Sequence, residues 1–261
     1  MKVVLFCGGL GLRIRDHAND IPKPMVKIGY KPILWHLMKY YAFYGHKDFI
    51  LCLGYKADVI KNYFVNYDEF LSNDFILTQG CNRVELLSTD LQDWRITFVD
   101  TGLHSNIGQR LKAIEPYLRD DEVFMANYSD GLTDLPLESH IEHFSHHNKV
   151  ASFICVRPSQ SFHVVSMNKH NIVNKINHVK DNGLLMNGGY FIFKKEIFQH
   201  IKEGEDLVEE PFQRLIRKKE LIAYHYDGFW ACMDTFKEKS DLERIYAQGT
   251  APWELWRSKH V

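Results

Sequence analysis

Met1-Lys-Val-Val-Leu-Phe-Cys-Gly-Gly-Leu-Gly-Leu-Arg13, followed by Ile21-Pro-Lys-Pro-Met25, is the stretch that decides how the chain is read. Lys2 to Phe6 is an apolar run of strand length. Gly8, Gly9 and Gly11 follow too densely for regular structure, and glycine lets backbone N–H groups turn inward against a ligand. Arg13 supplies a fixed cation with a forked donor face suited to phosphate. Lys23 sits between two prolines, which restrict the backbone and limit where its ammonium can go. The spacing is neither the dinucleotide fingerprint nor the P-loop, since no Gly-Lys-Ser/Thr follows. Gly-x-Gly alone reads as an ordinary turn; joined to two cations and a preceding strand, it predicts a phosphate cradle.

Outward from that stretch, helix and strand patterns alternate. Pro32 to Phe43 opens with proline at a helix start and carries Ile33, Leu34, Leu37, Met38 and Tyr41 on one stripe. Asp48 to Leu53 is a short apolar strand, and Ala57 to Phe64 a second helix. This β-α-β-α rhythm indicates a parallel sheet with crossover helices. Residues 66–93 break it with short strands near Phe75–Leu77 and Val84–Leu87, an insertion at the sheet edge. Strand Arg95 to Val99 resumes the pattern. Strands at Glu122–Asn127, Val150–Val156, His163–Met167, Ile172–Asn177 and Gly189–Phe193 follow. Helix Leu207–Lys218, strand Leu221–Tyr226 and helix Phe236–Ala247 close the chain. No internal repeat or low-complexity segment interrupts it.

Composition narrows the partners. With 261 residues and a formal net charge of −1, the chain suits one large α/β domain or two small ones, and nothing in its charge suggests a surface for nucleic acid or an acidic membrane. No apolar stretch approaches the roughly 20 residues of a membrane span. The five cysteines are scattered without a C-x-x-C and read as small core residues in a reducing cytoplasm. Cys7 adjoins the glycine loop, yet no basic partner marks it as a nucleophile, and burial at a strand end is the preferred reading. His140, His143, His146 and His147 crowd one helix, Leu137 to Asn148. A zinc site is the alternative to a wet polar face, and it is disfavoured because no carboxylate or Cys ligand comes with the cluster. Leu137, Ile141 and Phe144 are expected to face the core and the histidines to face water.

Three further places carry candidate chemistry. Asp100-Thr-Gly102 to Gly108 is a loop, and the helix opening at Gln109-Arg-Leu-Lys112 brings Arg110 and Lys112 close to its N-terminus, a second anion site. Tyr128-Ser-Asp-Gly131 follows a buried strand at its carboxyl end, where ligands gather in open α/β sheets. Asp130 there suits either a plain Asp-Gly turn or an oxygen ligand for Mg²⁺. Asp234, after the apolar Phe229-Trp-Ala-Cys-Met233, is a candidate second carboxylate.

Gly-Gly-x-Gly-x-Arg plus Pro-Lys-Pro-Met resembles the signature of nucleotidyltransferases that make nucleotide sugars. Extended through Val26-Lys-Ile-Gly-Tyr-Lys-Pro-Ile-Leu-Trp-His36, it is similar to the glucose-1-phosphate cytidylyltransferase branch. The resemblance covers nearly the whole chain. It implies a Rossmann-like nucleotidyltransferase fold with a mostly parallel central sheet flanked by helices and a small β-rich edge insertion. It implies one domain, 1–261, with a nucleotide-binding half at about 1–135 and an acceptor-binding half at about 136–261. On the nucleotide it places Leu5, Cys7, Gly8, Gly9, Gly11 and Arg13. Lys23, Gly108, Arg110 and Ser129 join them, with Arg13 and Lys23 as the catalytic pair. Family members carry a metal Asp in Tyr-Gly-Asp-Gly, which Asp130 matches with Ser129 replacing a glycine. Their Phe-Trp-x-x-Met-Asp-Thr matches Phe229 to Thr235 and makes Asp234 the second ligand. Mg²⁺ is the implied metal, with Mn²⁺ able to substitute. A homo-oligomer is expected.

The acceptor half departs from the family. An Arg-Phe-Gly whose glycine faces the sugar is replaced by Ser161-Phe-His163. A Glu-Lys-Pro whose lysine grips the sugar phosphate is replaced by Asn177-His-Val179, with Lys180 one residue later. Asn187-Gly-Gly189 is retained. His163, His178, Lys180, Asn187, Gly188 and Trp230 are the expected acceptor residues. Either the changes are drift, with Lys180 or His178 taking over the phosphate, or the acceptor has changed. The second is favoured: an imidazole fills ring-sized space, and losing a permanent cation weakens phosphate binding at pH 7. A capsular branch that the chain resembles is thought to use phosphorylated glutamine, which makes an amino-acid phosphate a candidate.

The expected reaction is attack of an acceptor phosphate oxygen on the α-phosphorus of CTP with release of pyrophosphate. The nucleophile is already anionic, so positioning and charge neutralisation suffice. A catalytically dead nucleotide-binding subunit is the rival of another class; retention of Arg13, Lys23, Asp130 and Asp234 argues against it. The glycine spacing argues against a nicotinamide oxidoreductase.

Overall fold

The computed structural model describes residues 1–9, 21–158 and 162–257. Gly11, Arg13 and Ser161 therefore lie outside the described residues. The first half runs β1 (Val3–Phe6), β2 (Lys27–Ile28), β3 (Lys31–Pro32), α1 (Ile33–Phe43), β4 (Asp48–Leu53), α2 (Ala57–Val65), β5 (Phe75–Thr78), β6 (Arg83–Leu86), β7 (Arg95–Asp100), α3 (Ile107–Ala113), β8 (Val123–Asn127) and β9 (Gly131–Thr133). The second half runs α4 (Leu137–His147), β10 (Ala151–Val156), β11 (His163–Met167), β12 (Val173–His178), β13 (Met186–Lys194), α5 (Glu210–Lys218), β14 (Leu221–His225), β15 (Trp230–Cys232) and α6 (Phe236–Ala247).

Seven strands form the central sheet in the order β14-β10-β13-β8-β1-β4-β7. All point the same way except β13, which runs antiparallel to both β8 and β10. The continuous apolar run of β1 has a simple cause: the sheet is covered on both sides. Val3 and Leu5 pack with α1, while Val4 and Phe6 pack with Leu111 of α3 and with Phe212 and Leu215 of α5. Alternate residues of one strand thus feed two separate cores. The edge insertion forms the expected two-stranded hairpin, β5 paired with β6.

β10 and β13 are neighbours of opposite direction. The chain between them therefore leaves and re-enters the sheet at one edge, the edge where β8 ends. Its β11–β12 hairpin emerges on that side. A two-stranded ribbon of β9 and β15 lies at the same place, with Cys232 opposite Gly131 and Trp230 opposite Thr133. No helix among the described residues is long and apolar enough to cross a membrane.

The four histidines of α4 do not all face water, as their polarity suggests. His140 is buried and its Nε2 lies 2.9 Å from Ser152 Oγ on β10. Its ring stacks on Tyr224, so a flat, weakly polar side chain serves as core where one hydroxyl meets its ring nitrogen.

Candidate active site

β8 ends at Asn127, and the next three residues turn sharply. Ser129 adopts φ +69, the left-handed region that costs a side chain about 1–2 kcal/mol and that glycine enters freely. Here the turn is held by Asn127 Oδ1, which accepts from Ser129 N at 2.9 Å, and Ser129 is fully buried. The turn delivers Asp130 to the sheet edge. The β9–β15 ribbon then brings up Asp234: Met233 N donates to Asp130 O at 2.8 Å, so the two aspartates sit across one ribbon end. Asp234 is fixed from behind by the start of α6. Glu238 accepts from the backbone N–H groups of Asp234 and Thr235, and Thr235 Oγ1 accepts from Glu238 N. The capping box Thr235-Phe-Lys-Glu238 thus sets the second carboxylate, a signal that was legible in the sequence as Thr-x-x-Glu.

Lys23 arrives from the opposite direction. Pro22 to Met25 makes a tight 3₁₀ turn, with Met25 N donating to Pro22 O at 2.8 Å. The Lys23 Nζ donates to Asp130 Oδ2 at 2.6 Å and to Asp234 Oδ1 at 2.5 Å. Residues 107 and 211 positions away in sequence are therefore joined by one ammonium. Burial pulls the Lys23 pKa down, but the two carboxylates more than offset it and the ammonium is held above its ordinary value. Burial also pushes the Asp130 carboxyl up, and Lys23 pulls it only part of the way back. The two carboxylates are hard oxygen donors. Cys232 and Glu238 lie beside Asp234, and burial pushes the Cys232 thiol up to about 12. Two carboxylate oxygens fit Mg²⁺ or Mn²⁺.

The residues expected on the acceptor side divide into two groups. Asn187, Gly188 and Trp230 lie against the Asp130 turn. Asn187 Nδ2 donates to the Tyr128 hydroxyl at 3.2 Å, Trp230 Nε1 donates to Gly188 O at 2.8 Å, and the Tyr190 hydroxyl donates to Gly131 O at 2.9 Å. Gly188 must be small, because a Cβ there would meet Ile154 Cγ1 at 2.6 Å. His163 and His178 are paired residues on the β11–β12 hairpin, their rings 5.4 Å apart and edge-to-face. Lys180 is exposed on the turn that follows, and its backbone N donates to His178 Nδ1.

Arg110 and the start of α3, expected on the nucleotide, are engaged within the protein. Arg110 is 2 % exposed. Nη1 donates to Leu53 O, Thr101 Oγ1 and Gly102 O, and Nη2 to Gly8 O at 2.9 Å. Helical side chains lean toward the N-terminus, so Arg110 reaches back under the loops that end β1, β4 and β7 and ties them together. Gly8 is glycine for that reason: a Cβ would lie 2.1 Å from Arg110 Nη1. The N-terminus of α3 is likewise closed by its own Asn106–Gln109 capping box, and Lys112 pairs with Glu115. Gly108 packs against Glu205 O, which a Cβ would meet at 2.2 Å, so its smallness serves helix–loop contact.

Leu5 and Cys7 are fully buried in and after β1. Burial pushes the Cys7 thiol up to about 12, with Ser129 Oγ its hydrogen-bond partner at 3.4 Å, so it is no nucleophile. Gly9 is exposed, and among the described residues no atom lies within 4 Å of a Cβ placed there. Tyr128 and Glu238 were missed in the sequence; both act through backbone and side-chain contacts to the residues that were found.

A strand, a glycine loop and two carboxylates bridged by a lysine at the sheet edge now stand beside what the chain resembles. The family model described as Nucleotidyl transferase matches residues 2–242. Glucose-1-phosphate cytidylyltransferase of Salmonella typhimurium is 38% identical over 257 residues, covering 98% of this chain and 100% of the relative. The probable glucose-1-phosphate cytidylyltransferase of Bacillus subtilis is 34% identical over 258 residues, with the same coverage of 98% and 100%. A crystal structure of apo UDP-glucose pyrophosphorylase superposes with a TM-score of 0.71 at 16% identity, covering 95% of this chain and 99% of that one. A putative glucose-1-phosphate thymidylyltransferase from Bacillus anthracis does so with a TM-score of 0.67 at 15% identity, covering 94% of each. The fold is the Rossmann-like fold of nucleotidyltransferases, and by family and by full-length likeness the chain belongs to the nucleotidyl transferases.

Proposed function

We propose that the protein transfers CMP from CTP to a phosphorylated small molecule and releases pyrophosphate. The observation that supports this most is the Lys23 ammonium held between Asp130 and Asp234 at the edge where β8 ends. An anionic phosphate oxygen attacks the α-phosphorus in line, so the protein supplies position and charge and needs no general base. A divalent cation bound by Asp130 and Asp234 would neutralise charge on the phosphates of both substrates. Lys23 neutralises the α-phosphate as the pentavalent arrangement forms, and Arg13 the departing pyrophosphate. Arg110 keeps the loops of the nucleotide half, about 1–135, in register beneath that chemistry. The cytosine preference rests on likeness to the cytidylyltransferase relatives.

The acceptor half, about 136–261, carries the finer reading. His163 and His178 stand side by side where the family has a glycine and a phosphate-gripping lysine. Two imidazoles take up ring-sized space and bring no permanent charge. This supports an acceptor other than a hexose 1-phosphate, with L-glutamine phosphate, giving CDP-L-glutamine, as the candidate. The second reading, glucose 1-phosphate giving CDP-glucose, is favoured by the names of the relatives that match over full length. The exposed apolar side chains of β5 and β6, Phe75, Leu77 and Val84, support a homo-oligomer.

The deciding experiment follows pyrophosphate release from CTP and Mg²⁺ with a panel of sugar 1-phosphates and amino-acid phosphates. Turnover with a non-sugar phosphate at a kcat/KM above that for glucose 1-phosphate supports the changed acceptor. A kcat/KM for glucose 1-phosphate that equals or exceeds all others assigns the second reading. Silence with every acceptor and nucleotide would sink the transferase proposal.

A further inference from the structure

Three backbones converge on Lys23, and all three are held. The Pro22–Met25 turn closes on itself, Asp130 is pinned through its carbonyl to Met233 N, and Asp234 is pinned through its N–H to Glu238. What can move is the Lys23 stem of four carbons. Its ammonium lies 2.6 Å from one carboxylate and 2.5 Å from the other, with the lysine side chain only 16% exposed. A cation bridging the same two carboxylates would bring a second positive charge into contact with the first, and like charges at that range exclude one another.

We propose that the Lys23 ammonium and the divalent cation compete for the Asp130–Asp234 pair, and that a nucleotide phosphate relieves the competition by drawing Lys23 away. The proposal rests on the reading of Asp130 and Asp234 as the metal-holding pair. The free protein therefore holds metal weakly. A phosphate beside Lys23 gives the ammonium another anionic partner, and the carboxylates are released to the metal. Because coupling of two equilibria is reciprocal, the metal in turn tightens the nucleotide. The device keeps the carboxylates from sequestering metal until a nucleotide is present.

The test is a Mn²⁺ titration followed by the electron paramagnetic resonance of free Mn²⁺, on the full chain without nucleotide. Wild type and Lys23→Arg, which both carry the cation, are expected to bind weakly. Lys23→Met and Lys23→Gln are expected to bind at least about tenfold more tightly, the gain from removing one charge at contact range. Adding Asp130→Asn to Lys23→Met should abolish that gain. CMP, a weak chelator with one phosphate, should raise Mn²⁺ affinity more in wild type than in Lys23→Met. Equal weak binding by wild type, Lys23→Met and Lys23→Gln overturns the competition and leaves the metal assignment standing. Tight binding that survives Asp130→Asn overturns both. An equal effect of CMP on wild type and Lys23→Met overturns the coupling.

Discussion

Trp230 donates its indole N–H to the carbonyl of Gly188 at 2.8 Å, which stitches the ribbon leading to Asp234 onto β13. Gly188 is buried, so this carbonyl has little access to water in its place. Trp230→Phe keeps the ring and loses the donor. Leaving the carbonyl unpaired costs about 1–3 kcal/mol. We expect the acceptor KM to rise several-fold while the KM for CTP stays within twofold. Steady-state kinetics with each substrate varied in turn measures both, and an unchanged acceptor KM would remove Trp230 from the acceptor side.

Lys23→Ala should lower kcat by about 10² to 10³ with the fold intact, the usual loss when one charge-stabilising group is removed from a site. Asp130→Asn and Asp234→Asn should each abolish pyrophosphate release, and so should chelation of divalent metal in the wild type. Circular dichroism checks the fold of each variant, and near-normal turnover in any of them, or in excess chelator, contradicts the assignment.

Arg110→Met removes a guanidinium that serves the carbonyls of Gly8, Leu53 and Gly102. A buried network broken from one side leaves its partners unsatisfied, and about 3 kcal/mol of stability should go with it. For a chain of this size that is a fall in Tm of about 6–12 °C. The KM for CTP should also rise, since the loops lose their tie. Differential scanning calorimetry reads the first effect; a Tm within 2 °C of wild type would show that the carbonyls find other partners.

Acid should unfold the protein through its buried histidines. Burial holds the His36 imidazole down to about 4 and that of His140 down to about 3, against an ordinary value near 6.5. In the folded protein both stay neutral: His36 bridges Ile28 O and Trp253 Nε1, and His140 meets Ser152. Below about pH 6.5 the unfolded chain takes up protons that the folded one refuses. Stability is full above that pH and declines as the pH falls toward 4, by about 1.4 kcal/mol per pH unit for each histidine. His140→Gln should flatten the decline measured by urea unfolding between pH 6.5 and 4. An equal slope in wild type and variant would show that His140 does not drive it.

Much of this was legible before any coordinates because its signals are local. The strand of Val3–Phe6 and the helix of α1 declare themselves within a few residues. Asp130 and Asp234 stand out because each follows an apolar strand. The reversal of β13 has no such mark: Met186–Lys194 reads as a strand in either direction, and only its pairing with β8 and β10 settles it. The contacts of Arg110 are hidden for a related reason. A cation near a helix start looks like an anion site, and nothing local shows that three loop carbonyls from 57 and 102 positions and from its own loop will claim it. His140 turned inward because its hydroxyl partner lies on the next strand. His163 and His178 were expected in one pocket, but their ring contact depends on a hairpin register that sequence spacing does not reveal.

The reversed strand has a consequence for how such a protein changes its chemistry. Because β10 and β13 are bonded neighbours that meet at one edge, everything between them is an excursion that starts and finishes at adjacent points of the sheet. An exchange of that stretch, residues 157–185, would have two adjacent strand ends to match, Val156 and Met186, and the order of the other strands would not depend on its length. In this respect the fold resembles a socket with two contacts side by side.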